Sequence, residues 1–260
     1  MINRNQCWHD FNDHGNMIRR TRTLLKKILA QIGLLSAELI IIILAFIISL
    51  FAFSYLVNVV FIKHNELFDL RVFNWVESHI TASNTELMQA ITFFGTHSFL
   101  IPANIILLIY FLFIRRHRWY SIKVAAIALS STAMMFFLKT LFGRERPLFP
   151  LLKPALGYSF PSGHSMMSFA FYGLLIYLSY RYIHNPILKW LFIIVFGTLI
   201  ILIGFSRIYL RVHYASDVLA GFSVGTIWLI VSILVLNRLE NYSRKTLKPI
   251  VEETPALPGN

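Results

Sequence analysis

Residues 39–62 read LIIIILAFIISLFAFSYLVNVVFI, an apolar run without a single charged side chain. A helix needs about 20 apolar residues to cross the roughly 30 Å hydrocarbon core of a bilayer, and this run is longer. It is also too long, and too deep in the chain, for a cleaved signal peptide, whose apolar core spans about 7–15 residues. Outward from it, uncharged runs recur at residues 93–114, 124–138, 165–180, 190–206 and 218–237. The runs at 124–138 and 165–180 reach spanning length once their polar neighbours are counted at the interface. The 260 residues are 57% hydrophobic and only 14% charged, against about 25% charged in soluble domains. The sequence predicts an all-α protein, a six-transmembrane helical bundle.

The chain carries a net charge of +12, and its distribution follows membrane topology rather than nucleic-acid binding. Sixteen of the 24 Lys and Arg residues lie in residues 1–28, 115–123, 181–189 and 238–248. Six spans put all four segments on one side, which the positive-inside rule makes cytoplasmic. A multi-pass protein of the cell (inner) membrane with both termini cytoplasmic is expected. Its parts are a basic tail (1–28), a membrane domain (29–238) and a disordered cytoplasmic tail (239–260). Residues 66–92 place Leu67, Leu70, Phe73, Val76 and Ile80 at helical spacing among Glu66, Asp69, Glu77 and Glu86. That pattern predicts an amphipathic interfacial helix in the first outer loop. The one cysteine, Cys7, excludes an intramolecular disulfide.

The remaining eight cations face the other side. Lys139, Arg144, Arg146, Lys153, Arg207 and Arg211 gather in or beside the second and third outer connections, with only Glu145 and Asp217 as nearby acids. Like charges clustered at a membrane edge are costly unless an anion joins them, and a phosphate meets that need. Arg144 and Arg211 are expected to attract anionic head groups or face solvent.

Three stretches carry candidate chemistry. In PSGH, Pro161–His164, Ser162 is a good N-cap and Gly163 lets a ligand approach the backbone, so the helix start forms an anion site beside His164. In KTLFGRERP, Lys139–Pro147, Lys139 ends a span, Gly143 stops the helix, and Arg146 can grip two phosphate oxygens. In SRIYLRVHYASD, Ser206–Asp217, His213 and Asp217 are four apart and would share a helical face. A carboxylate on one imidazole nitrogen fixes the tautomer and leaves the other nitrogen nucleophilic. All three stretches fall on the same side of the bundle in the topology derived from charge.

Together they resemble the signature motifs of the type 2 phosphatidic acid phosphatase superfamily. The pattern is Lys, six residues, Arg-Pro; Pro-Ser-Gly-His; and Ser-Arg, five residues, His, three residues, Asp. Here it runs through Lys139 and Arg146-Pro147, Pro161–His164, and Ser206-Arg207, His213 and Asp217, with no departure at a defining position. The resemblance implies that His213 attacks phosphorus to form a phosphohistidine, that Asp217 orients it, and that His164 protonates the leaving oxygen. It also implies that Lys139, Arg146, Arg207 and the backbone near Ser162 and Gly163 bind the phosphate, with no cofactor and no metal.

The implied substrate is a lipid phosphate: undecaprenyl diphosphate first, then phosphatidic acid, phosphatidylglycerol phosphate or lipid A. Membrane lipids and that substrate are the only expected partners, with no obligate protein partner, and the active site faces the periplasm or exterior. A lipid phosphotransferase of the same superfamily is the alternative, and a non-enzymatic anionic-lipid carrier ranks below it. A carrier leaves the His–Asp pair without a purpose. A two-histidine, one-carboxylate metal site at His164, His213 and Asp217 is disfavoured because three nearby cations would repel the metal. Glu38 and His97 are assigned an interfacial and a packing role.

Overall fold

The computed structural model describes residue 33 and residues 37–152 and 157–247. Every regular element among them is helical. In chain order these are α1 (Ala37–Ile62), α2 (Leu67–Glu77), α3 (Ala82–Phe93), α4 (His97–Ile109), α5 (Arg118–Phe142), α6 (Gly163–Tyr182), α7 (Pro186–Tyr209) and α8 (Ala215–Tyr242). The chain divides into residues 1–45 and 46–260. The first unit contributes Gly33 and the opening of α1 to the described residues. The second holds the remaining elements and the whole of the candidate site.

Five helical stretches are long and apolar enough to cross a membrane: Ala37–Ile62, Ala82–Ile114, Arg118–Phe142, Pro186–Tyr209 and Ala215–Thr246. The second joins α3 to α4 through a turn at 94–96 and continues to Ile114 as a π-helical turn. The outer surfaces of these helices expose Ile47, Phe51, Ile106, Leu129, Ile194 and Ile201, side chains suited to lipid rather than water. The sixth predicted span, α6, is 20 residues long but falls short of the others in apolar character. It packs against α4, α5, α7 and α8, and its buried residues include Gly163, Ser165, Ser168, Ala170, Gly173 and Ser179. Small residues let helices approach closely where no hydrophobic drive pulls them together. A Cβ on Gly221 of α8 would stand 2.7 Å from the Ser162 carbonyl oxygen, so that glycine sets how close α8 lies to the start of α6.

The segment expected to form the first outer loop differs from expectation. Instead of one amphipathic helix over 66–92, α2 and α3 are separate, and the Thr81 side chain caps α3 by accepting from the Asn84 N–H at 3.2 Å. Val72, Phe73 and Val76 of α2 pack with Ile208, Val212 and Val218. Asp69, expected on the polar face, is 2% exposed. At the opposite end of the bundle, Lys123 donates to Glu240 at 2.7 Å, joining two of the basic segments. Helix α8 runs past the expected boundary at residue 238 to Tyr242, followed by a π-helical turn to Leu247. Residues 1–28 and 248–260 of the expected tails lie outside the described residues.

Candidate active site

The start of α6 has the cap its sequence predicts. Ser162 is extended, its hydroxyl accepts from the Ser165 N–H at 3.4 Å, and the helix begins at Gly163. The Ser162 N–H itself donates to the Asp217 carbonyl at 2.9 Å. That bond locks the two helix starts together and turns Ser162 inward, where it is fully buried. The first N–H groups of α6, at Gly163 and His164, have no intrahelical acceptor and sit at the positive end of the helix dipole.

Helix α5 ends at Gly143, whose φ of 58° is the left-handed conformation that glycine adopts without strain. Lys139, in the last turn, donates to the Tyr158 carbonyl. Arg146 donates from Nε to the Gly157 carbonyl at 2.8 Å and from one guanidinium nitrogen to the Val212 carbonyl at 2.9 Å. The same nitrogen stands 3.3 Å from His213 Nε2.

The sequence placed His213 and Asp217 on one helical face. The two do meet, with His213 Nδ1 3.5 Å from Asp217 Oδ2, but by another route. Helix α7 ends at Tyr209, His213 lies in the link, Tyr214 is the N-cap of α8, and Asp217 is its third residue. Asp217 Oδ2 accepts from the Tyr214 N–H at 2.9 Å, which turns the carboxylate back over the link towards the imidazole. Ser159 stands between them, donating to Asp217 Oδ2 and lying 3.2 Å from His213 Nδ1. Because the Ser159 hydrogen goes to the carboxylate, its oxygen is left to accept from Nδ1–H. The hydrogen-bond network thus assigns the proton to Nδ1 and leaves the Nε2 lone pair facing Arg146.

Burial is the largest influence on His213 and lowers its pKa to about 4; Asp217 acts upward, and Lys139 and Arg146 act downward. The ring is therefore neutral at physiological pH. Burial likewise pulls Arg146 below the usual guanidinium value, with Asp217 opposing it.

A cavity of about 430 Å³ gathers Lys139, Arg146, Gly163, His164, Arg207 and His213 on its wall. Three motifs separated by up to 74 positions thus converge on one space. Ser162 and Asp217 stand behind that wall. Arg207 is 5% exposed, donates to Thr92 Oγ1 at 2.7 Å, and leaves its Nε without a partner. Among the described residues it makes no ion pair with a carboxylate. A buried guanidinium in that condition is short of an anion.

Sequence reasoning missed several contributors. Ser159 precedes a motif without belonging to it, and His97 lines the cavity rather than merely packing. Arg144, expected to face head groups or solvent, turns inward to Asp217 and Asp69. The one signal that could have found Asp69 was an acid recurring beside an otherwise apolar helical face. Arg211 reaches Glu77 at 3.2 Å, away from the cavity.

The chain also resembles known proteins. The model of the PAP2 superfamily matches residues 119–240. Phosphatidylglycerophosphatase B of Bacillus subtilis strain 168 is 36% identical over 143 residues, covering 54% of this chain and 69% of that protein. The chain belongs to the PAP2 superfamily. The crystal structure of a transmembrane PAP2-type phosphatidylglycerolphosphate phosphatase from Bacillus subtilis superposes with a TM-score of 0.67 at 26% identity, covering 77% of this chain and 98% of that one. Aquifex aeolicus LpxE superposes at 0.51 with 28% identity, covering 64% and 94%. With these relatives and its apolar helices, the chain is an integral membrane phosphatase of the PAP2 superfamily.

Proposed function

We propose that the protein hydrolyses the terminal phosphate of a membrane lipid through a phosphohistidine on His213, without a metal. The observation that carries this reading is Arg207, a buried cation with no carboxylate partner among the described residues, lining one cavity with Lys139, Arg146, His164 and a neutral His213. His213 Nε2 attacks phosphorus as the bond to the lipid oxygen breaks, and His164 gives that oxygen a proton. The proton on Nδ1 is held by Ser159 and Asp217 while the ring becomes positively charged. Water then attacks the phosphohistidine, His164 takes up the proton, and inorganic phosphate leaves. Lys139, Arg146, Arg207 and the N–H groups of Gly163 and His164 stabilise the equatorial oxygens, the kind of preorganised electrostatics that dominates many rate enhancements. Ser162 acts in this scheme as the cap that aims those groups.

The superfamily relatives move phosphatidylglycerol phosphate ahead of undecaprenyl diphosphate as the first substrate to test. Helix α6 serves as the sixth span: 20 residues at 1.5 Å each reach about 30 Å, and its small polar side chains face other helices rather than lipid. Both termini are then cytoplasmic, the cavity opens on the outer face, and α2 lies at the outer interface.

Phosphate release by purified protein from phosphatidylglycerol phosphate, undecaprenyl diphosphate, phosphatidic acid and lipid A, with and without EDTA, tests the chemistry. Release that resists chelation and vanishes in His213→Ala supports the reading. Binding of these lipids with no release from any would replace it with a carrier. Cys7 supplies a topology probe: a membrane-impermeant maleimide applied to intact cells should leave Cys7 unlabelled and label an added cysteine at Leu148.

A further inference from the structure

We infer that Asp69 of α2 and Arg144 of the α5–α6 link are positioning residues for the reaction, clamping the Asp217 carboxylate and through it the His213 ring. This inference rests on the reading of His213 as the attacking group. It makes α2, part of the first outer loop and outside all three motifs, a component of the active site.

The clamp is built from six hydrogen bonds, all on buried or nearly buried groups. One Arg144 guanidinium nitrogen donates to Asp217 Oδ1 at 2.6 Å and to the Ser216 hydroxyl at 2.7 Å. The other donates to Asp69 Oδ2 at 2.9 Å. Asp69 also accepts from the Ser216 N–H at 2.8 Å and from its hydroxyl at 2.6 Å. The sixth bond is the one from the Tyr214 N–H to Asp217 Oδ2. The Tyr214 ring closes the assembly from the side, 4.0 Å from the Arg144 guanidinium carbon.

The allocation of oxygens shows what the clamp does. Asp217 Oδ2 is committed to Ser159 and Tyr214 and faces His213; Oδ1 is held by Arg144. Without Arg144, the carboxylate could rotate about its last bond and lose its aim. Asp69 in turn holds Arg144 in place and anchors Ser216, the residue next to Asp217. A planar, bidentate guanidinium is suited to bridging two carboxylates in a fixed geometry, which a lysine cannot reproduce. Burial works against the Arg144 charge, but Asp217 and Asp69 outweigh it and hold its pKa above the ordinary guanidinium value.

Charge gives the clamp a second consequence. Asp69 and Asp217 share one arginine, leaving one net negative charge behind an imidazole that must become cationic during turnover. His213 is faced by Asp217 from α8, Lys139 from α5, Arg146 and Ser159 from the α5–α6 link, and His164 from α6. The positive groups there oppose a cationic ring, so the Asp69–Arg144–Asp217 cluster is what favours it.

The test uses the full chain in detergent, with phosphatidylglycerol phosphate or the best substrate of the lipid panel, and His213→Ala alongside. Asp69→Asn is nearly isosteric and should lower kcat about tenfold or more, with KM and inhibition by inorganic phosphate within about threefold. Arg144→Gln should do the same and also raise the His213 ring pKa by about a unit or more, because two carboxylates then face the ring unshared. Asp69→Asn should not raise it. That split, followed by NMR of ring-labelled histidine, is a signature that a purely structural role does not give. Should Arg144→Gln fail to fold, Ser216→Ala removes only one hydroxyl and should lower kcat by a smaller factor with KM held. Wild-type kcat in both Asp69→Asn and Ser216→Ala, with His213→Ala inactive, overturns the clamp and leaves the proposed reaction standing. Full activity in His213→Ala overturns the reaction scheme and the clamp with it.

Discussion

Arg207 donates to Thr92 Oγ1 at 2.7 Å from inside the protein, and no carboxylate shares its charge among the described residues. Replacing a buried ion pair with apolar side chains of similar volume is often neutral or stabilising by about 1–4 kcal/mol, and a buried charge with no carboxylate partner has even less attraction to lose. Arg207→Met is therefore expected to unfold at the wild-type temperature or above in phosphate-free detergent, while losing activity. Phosphate should raise the wild-type transition, by about 2.7 kcal/mol at a hundred times its Kd, and leave that of Arg207→Met unmoved. Thermal scans with and without phosphate check both halves, and an equal response of the two proteins would contradict the assignment.

His213 should titrate far from the ordinary histidine value. NMR of ring-labelled protein, with the resonance assigned through His213→Asn, is expected to show neutral imidazole down to about pH 5 and a midpoint near 4. The sign for stability follows. The folded pKa lies below the unfolded value of about 6.5, so on acidification the unfolded chain takes up the proton first. The folded state keeps its full margin above about 6.5 and loses it progressively as pH falls towards 4. A midpoint at 6 or above would mean that water reaches the ring.

Lys123 and Glu240 offer a comparison without catalysis. Lys123 is 2% exposed and donates to Glu240 at 2.7 Å. Glu240→Gln strands a buried ammonium and should cost about 3–5 kcal/mol. Lys123→Met combined with Glu240→Leu should recover most of that loss. Activity per folded molecule should be unchanged throughout, because the pair lies at the end of the bundle opposite the cavity.

Gly221→Ala tests the contact between the two helix starts. The added methyl would stand 2.7 Å from the Ser162 carbonyl oxygen and 2.9 Å from Ser165 Cβ. Backbone cannot step aside as a flexible side chain can, so α8 must shift. A cost of about 1–3 kcal/mol is expected, together with a fall in kcat because Asp217 moves away from Ser159. Unchanged kcat would mean that this contact does not govern the alignment.

Much of the site was legible because its signals are local. The Ser162 cap, the stop at Gly143 and the Lys139, Arg146 and Arg207 cations each follow from the chemistry of a few neighbouring residues. Asp69, Arg144 and Ser216 were not legible, since their meaning arises from contacts between positions 72 to 147 residues apart. His213 and Asp217 were paired correctly on the wrong geometry: four-residue spacing suits a helix, but it also suits a link folding onto the cap of the next helix. The apolar runs gave the lipid-facing helices directly. Helix α6 carries a weaker apolar signal because its neighbours are other helices, and close helix packing selects Gly, Ala and Ser rather than Leu and Ile.

Asp217 does two jobs with one carboxylate. It closes the start of α8 through the Tyr214 N–H and orients the imidazole, while its backbone carbonyl receives the Ser162 N–H. Architecture and chemistry therefore cannot be lost separately at this position. Under the proposed mechanism, a lineage that gave up turnover and kept only lipid binding would be free to discard His213 and His164, yet it would still need the aspartate to hold its helices in place. Retention of Asp217 alone is thus poor evidence that a descendant of this protein still cleaves phosphate, whereas retention of both histidines is good evidence.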